Sequence, residues 1–117
     1  MAYLHTRYAK HTIKVMRQGE TRCPAEQTLT LIGGRWKVLI LYHLVPGTRR
    51  FSELRRALVP VTPKMLAQQL RELERDGIVT RKIYAQVPPK VEYSLTPRGK
   101  SLKPVIAAMC RWGKQCR

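Results

Sequence analysis

Thr62-Pro63-Lys64-Met65-Leu66-Ala67-Gln68-Gln69-Leu70-Arg71-Glu72-Leu73-Glu74-Arg75-Asp76-Gly77 carries both a start and a stop signal for one helix. Thr62 is an N-cap residue whose hydroxyl can accept from an orphan N–H, and Pro63 stands at the first helical position, where its missing N–H costs nothing. Gly77 follows the last periodic residue and can take the left-handed conformation that closes a helix. Leu66, Leu70 and Leu73 fall at i, i+4 and i+7 and make one apolar stripe. Lys64, Gln68, Arg71 and Arg75 lie on the opposite side of the wheel. Long donors and an amide on one exposed face suit phosphates and base edges, with Arg or Lys for guanine and Gln for adenine. In an isolated helix such a face reads first as a solvated surface. The flanking sequence decides between the two.

Upstream, Arg49-Arg50-Phe51 is long enough for a stub of strand, and Ser52 is an N-cap candidate followed by Glu53 in the first turn. Phe51, Leu54 and Leu58 give the next short helix an inward face, with Arg55 and Arg56 outward. Val59-Pro60-Val61 is a turn. Two helices joined by a few turn residues, the second with a polar outer face, form a helix-turn-helix. Downstream of Gly77 the period switches to two: Val79, Arg81, Ile83 and Ala85 alternate with Thr80, Lys82 and Tyr84, then Val91, Tyr93 and Leu95 with Glu92, Ser94 and Thr96. Gln86 to Lys90, with Pro88-Pro89, makes a stiff tip. A hairpin directly after such a helix is a wing. The expected fold is therefore α+β: a winged helix-turn-helix, mostly helical, with one β-hairpin wing.

The outer segments follow. Residues 1–22 are a basic lead-in on which Leu4, Tyr8, His11 and Val15 could share a helical face. Cys23-Pro24 opens a helix with Ala25, Leu29 and Ile32 inward, and Gly33-Gly34 ends it. Arg35 to Val45 is apolar nearly all round, as a central buried helix is. Thr96-Pro97 repeats the cap-plus-proline start. Leu102, Val105, Ile106, Met109, Cys110 and Trp112 then form a wide apolar stripe with Pro104 inside it, a residue that kinks a helix or divides it in two. Beyond a complete winged helix little core remains for that stripe to cover. Leu102, Val105, Ile106, Met109 and Trp112 are thus candidates for pairing with a second copy.

Composition narrows the partner. Across 117 residues, 23 Lys and Arg stand against seven Asp and Glu, a net charge of +16 on a chain whose 44% apolar content is ordinary for a folded domain. Such a field attracts polyanions, of which nucleic acid is the commonest inside cells. An anionic membrane is disfavoured, because the charge is not gathered on one amphipathic helix. Neither an apolar secretory core nor a stretch long enough to span a bilayer is present, so the expected location is cytoplasmic, on the nucleoid. Three cysteines without a repeated spacing indicate neither a disulfide frame nor a zinc ribbon, and the histidines show no metal-ligand spacing. The acidic residues form no paired arrangement and Gly33-Gly34 is a helix end, so no enzyme, cofactor or metal is expected.

Several stretches are familiar as a set: Cys23-Pro24-Ala25-Glu26, Leu31-Ile32-Gly33-Gly34-Arg35-Trp36, Arg50-Phe51-Ser52-Glu53-Leu54-Arg55-Arg56, Lys64 to Leu73, Val87 to Thr96, and Gly99 with Leu102. In that order they resemble the HxlR-type transcriptional regulators, relatives of the MarR type, from Cys23 to about Gly113. The resemblance implies residues 1–22 as a basic extension and 23–117 as a winged-helix DNA-binding domain ending in a dimerisation helix. It implies a homodimer on an inverted-repeat operator in double-stranded DNA, most simply as a repressor. Thr62, Lys64, Ala67, Gln68, Gln69, Arg71 and Arg75 are the recognition-helix candidates. Arg50, Ser52, Arg55, Arg56, Arg81, Lys82 and Lys90 are the backbone and wing candidates. The alternative is a basic RNA-binding or ribosome-associated winged helix. Duplex DNA is favoured over it because A-form RNA hides its major groove from side chains.

Cys23 precedes Pro24 at a helix start, where unpaired N–H groups and the dipole favour a thiolate, the form that attacks oxidants and electrophiles. Arg22 stands beside it. Some HxlR-type regulators use the cysteine of this Cys-Pro motif as a sensor, which makes Cys23 the candidate redox residue; the other reading is a small half-buried hydrophobe.

Overall fold

The computed structural model describes residues 23–116; the expected helical face in residues 1–22 lies outside them. The chain divides into two units, 1–30 and 31–117. Helix α1 (Pro24–Ile32) begins in the first and ends in the second. Its carbonyl at Cys23 accepts the Glu26 N–H at 2.9 Å. Leu29, expected inward, is 64% exposed, and α1 buries Ile32 in the core with Leu31 packed against it.

Within 31–116 the order is α2 (Trp36–Leu44), β1 (Arg49–Arg50), α3 (Phe51–Ala57), α4 (Pro63–Arg75), β2 (Val79–Tyr84), β3 (Lys90–Leu95), α5 (Pro97–Lys100) and α6 (Lys103–Gln115). The three strands form an antiparallel sheet in the order β1-β3-β2, with Val79 opposite Leu95 and Arg81 opposite Tyr93. This is the winged helix-turn-helix that the sequence predicts. The central helix α2 buries Trp36, Ile40, Leu41 and Leu44, and packs on α4, β3 and α6. Its Leu39 and Tyr42 stay exposed, so the helix is buried on most sides rather than all.

Helix α4 is built as its sequence reads. Thr62 Oγ1 accepts the Met65 N–H at 3.1 Å. Gly77 has φ +76°; its N–H reaches Glu74 O and the Ile78 N–H reaches Leu73 O, both at 3.0 Å. That pair of bonds is the Schellman closure, completed by the apolar contact partners Leu73 and Ile78, both buried. Leu66, Leu70 and Leu73 are at most 1% exposed. The start of α3 departs from expectation. The helix begins two residues earlier, with Arg50 as the N-cap and Phe51 as its first residue, so Ser52 sits inside the first turn. The capping bond comes instead from Glu53, whose carboxylate accepts the Arg50 N–H at 2.8 Å. A carboxylate two residues into the helix satisfies that orphan donor better than a hydroxyl that has already turned into the spiral.

A clip joins the end of α4 to the start of α5. Thr96 Oγ1 donates to Gly77 O at 2.6 Å and accepts the Gly99 N–H at 3.0 Å, while the Thr96 N–H donates to Ile78 O at 3.0 Å. Gly99 is buried against that turn. A Cβ there would stand 2.2 Å from the Ile78 carbonyl oxygen.

Pro104 divides the last helix as its chemistry demands. The chain breaks at Ser101-Leu102, and Pro104 lies in the first turn of α6, where its missing N–H is tolerated. The apolar stripe splits along its length. Ile106 is 3% exposed and belongs to the chain's own core, with Leu102 and Cys110 packed beside it. Val105, Met109 and Trp112 face outward at 37%, 46% and 68% exposure. Ile106 therefore has no surface left for a partner, because it seals α6 onto α2. Among the described residues no helix is long and apolar enough to cross a membrane.

Candidate nucleic-acid interface

The polar face of α4 is exposed opposite its leucines: Lys64, Gln68, Arg71 and Arg75 all lie at the surface, whereas Ala67 and Gln69 are half-buried at its margins. A helix turn of 3.6 residues sets two flanks on this face. On one flank Glu72 meets α2, where Lys37, the one buried charged residue among those described, holds its carboxylate at 2.5 Å. The Lys37 ammonium first, then the Gln68 amide, keeps the Glu72 carboxyl below its ordinary value of 4.5, so it remains an anion through the working pH range. On the other flank Glu74 faces the wing, with Arg81 Nε at 3.7 Å.

The centre of the face is connected as well. Gln68 Nε2 donates to Glu72 Oε2 at 2.8 Å, and Arg71 Nη1 donates to Gln68 Oε1 at 2.8 Å. Arg75 Nε lies 3.3 Å from Asp76 Oδ1. Among the described residues Lys64 makes no ion pair. Sequence reasoning picks out Gln68 and Arg71 but misses Lys37 and Glu72. The usable signal was a single lysine in an otherwise apolar helix, facing a glutamate one turn after the glutamine.

Around α4 the other candidates form a basic surround. Arg50, Ser52, Arg55 and Arg56 are exposed at the start and along the outside of α3. In the wing, Lys82 and Lys90 lie on one side of the hairpin, with their ammonium groups 4.9 and 4.2 Å from the centre of the Tyr84 ring. Arg81 takes the opposite side and turns back toward α4. Arg81 and Lys82 thus belong to different faces of one strand. Ile83 is 60% exposed, because the hairpin extends past the end of the core.

The acidic residues of 31–116 all have partners within the chain. Glu53 caps α3; Glu72, Glu74, Asp76 and Glu92 hold Lys37, Arg81, Arg75 and Lys90 in turn. Each carboxylate is committed within the chain. No two of them face each other in these contacts, and the described residues hold no group of three or more His, Cys, Asp or Glu side chains that could bind a metal ion.

A buried leucine stripe under an exposed donor face, a capped turn before it and a basic hairpin after it define a winged helix-turn-helix DNA-binding protein. Residues 31–117 match the family model described as HxlR-like helix-turn-helix, and the chain belongs to that family. It is 56% identical over 93 residues to YdeP, an HTH-type transcriptional regulator of Bacillus subtilis (strain 168), covering 80% of this chain and 73% of YdeP. Among solved structures it resembles the redox regulator HypR in its oxidized form, with a TM-score of 0.77 and 54% identity over 81% of this chain and 98% of that one. It also resembles diamide-treated YodB from B. subtilis, with a TM-score of 0.67 and 38% identity over 82% and 96% of the two chains. The chain is a transcriptional regulator with a helix-turn-helix DNA-binding domain.

Cys23 is exposed at the start of α1; Arg22, its expected partner in charge, lies outside the described residues. Cys110 is half-buried against the core and lines a groove of about 780 Å³ between α2 and α6, with Leu39, Tyr42 and Ile106.

Proposed function

We propose that this chain is a homodimeric, sequence-specific repressor whose paired α4 helices read an inverted-repeat operator, without catalysis and without a cofactor. We also propose that Cys23 makes operator binding sensitive to oxidants or electrophiles. The observation that carries the first reading is the face of α4: Gln68 and Arg71 exposed and mutually ordered, directly opposite three leucines that fix the helix to the core. The exposed α6 residues Val105, Met109 and Trp112 support a second copy as the partner. Exposure of Cys23 and likeness to the redox regulator HypR in its oxidized form and to diamide-treated YodB support the sensor.

The test is binding by fluorescence anisotropy to a duplex that the protein itself selects from a random-sequence DNA library. A scrambled duplex and an RNA duplex of the same sequence serve as competitors. The selected DNA is expected to win by about 10³-fold or more over scrambled DNA. RNA competing equally would replace the repressor with the RNA-binding alternative. Diamide is expected to release wild-type protein, with recovery on thiol reduction, and to leave Cys23→Ser bound. Release of Cys23→Ser as well, or no release of wild type, rejects the switch and leaves the DNA reading intact.

A further inference from the structure

A glutamine on a recognition helix is ambiguous, because its amide can present oxygen and nitrogen in either order. In this protein two groups of opposite character stand beside it. Glu72 can only accept a hydrogen bond, and it lies 2.8 Å from Gln68 Nε2. Arg71 can only donate, and it lies 2.8 Å from Gln68 Oε1. Turning the amide over would set its oxygen against a carboxylate and its N–H groups against a guanidinium. Both charge-assisted bonds would become repulsions. Glu72 is itself fixed, since its other oxygen is held by Lys37 from the buried side of α2.

We propose that Lys37 and Glu72, which lie behind the DNA-facing surface, are positioning residues that lock the Gln68 amide in one orientation and thereby determine which base it accepts. The inference rests on α4 being the recognition helix, and it names a specificity device within that site. Of the two N–H groups and two oxygen lone pairs on the amide, one of each is taken by Glu72 and Arg71, leaving one donor and one acceptor in fixed order. Adenine offers the complement in the major groove, N7 accepting and N6–H₂ donating. A fixed order separates A·T from T·A; an amide free to turn is a weaker discriminator. Lys37 thus transmits the geometry of the core helix to a base contact through one ion pair and one hydrogen bond.

The experiment measures base preference position by position. Wild type, Gln68→Ala and the double variant Lys37→Met/Glu72→Leu are each titrated against the library-selected duplex and all its single base-pair substitutions. The double variant removes both charges, so no uncompensated ion remains against the core; a thermal melt accompanies each protein, and Lys37→Arg serves as the conservative rescue. Expected is that Gln68→Ala abolishes a preference of roughly 5- to 150-fold at one position of each half-site. The double variant is expected to flatten that same position while binding scrambled duplex as wild type does, and Lys37→Arg to restore it. A double variant that keeps the full preference at the Gln68 position overturns the proposal, as does one that weakens every duplex alike, which is the mark of a purely structural pair. A wild-type protein that selects no sequence removes the recognition-helix reading itself, an outcome distinct from both.

Discussion

Gly99 stands where no side chain fits. A Cβ would lie 2.2 Å from the Ile78 carbonyl oxygen, which already accepts the Thr96 N–H and cannot retreat without opening the clip. Gly99→Ala is expected to cost about 1–3 kcal/mol, the usual range for overpacking a tight site. For a domain of this size each kcal/mol lowers Tm by roughly 4–8 °C. Gly113 is the matched control: nothing lies within 4 Å of its Cβ position, so Gly113→Ala on helix α6 is expected to be neutral or to gain about 0.5–1 kcal/mol. Circular-dichroism melts of the two variants decide it, and equal melting temperatures would sink the argument. Residues of this kind mark where the sequence stopped being readable. Thr62, Pro63 and Gly77 act on neighbours within a turn, so their roles were visible in the chain. Gly99 and Lys37 act on Ile78 and Glu72, partners that no local spacing reveals.

The wing shows the same boundary among the elements. Alternation located both strands and the turn between them, but a period of two says which residues share a side and not where the sheet outruns its core: Val79 is buried and Ile83, on the same side, is exposed. It also grouped Arg81 with Lys82 and Lys90 as wing charges. The structure separates them by face: Arg81 pairs with Glu74 on α4, whereas Lys82 and Lys90 share the face of Tyr84 on the other side, where Lys90 also pairs with Glu92. Lys82→Gln/Lys90→Gln is therefore expected to weaken selected and scrambled duplexes by the same factor. It should also reduce the slope of log affinity against log salt by about 4 for the dimer, roughly one unit for each of two phosphate contacts on each protomer. Titrations from low to moderate salt measure it, and an unchanged slope would place the wing away from the backbone. Pro104, by contrast, was legible as a break from its chemistry alone, and the break falls at Ser101-Leu102.

At the level of the whole protein, the division of the α6 stripe sets the assembly prediction. Ile106 closes the core, and Val105, Met109 and Trp112 remain outside it. Wild type is expected to sediment as a dimer at micromolar concentration, with its recognition helices spaced for successive major grooves about 34–36 Å apart. Met109→Glu/Trp112→Glu is expected to sediment as a folded monomer, since neither side chain supports the core. A wild-type monomer under these conditions, or a double variant that still dimerises, would send the interface elsewhere. That a surface stripe existed was evident from sequence; which edge of it the chain keeps for itself depended on how α6 rolls on α2.

The commitment of every carboxylate in 31–116 to an intrachain partner has a kinetic consequence. Within 31–116 no carboxylate stands free to repel phosphates, a chain of net charge +16 is held by DNA of any sequence, and a genome offers on the order of 10⁶–10⁹ competing sites. Such a protein searches by sliding and hopping along the duplex rather than by diffusing freely between encounters. The time spent on wrong sites is then expected to shorten steeply as salt rises, so ionic strength alone is expected to redistribute the protein between preferred and ordinary DNA.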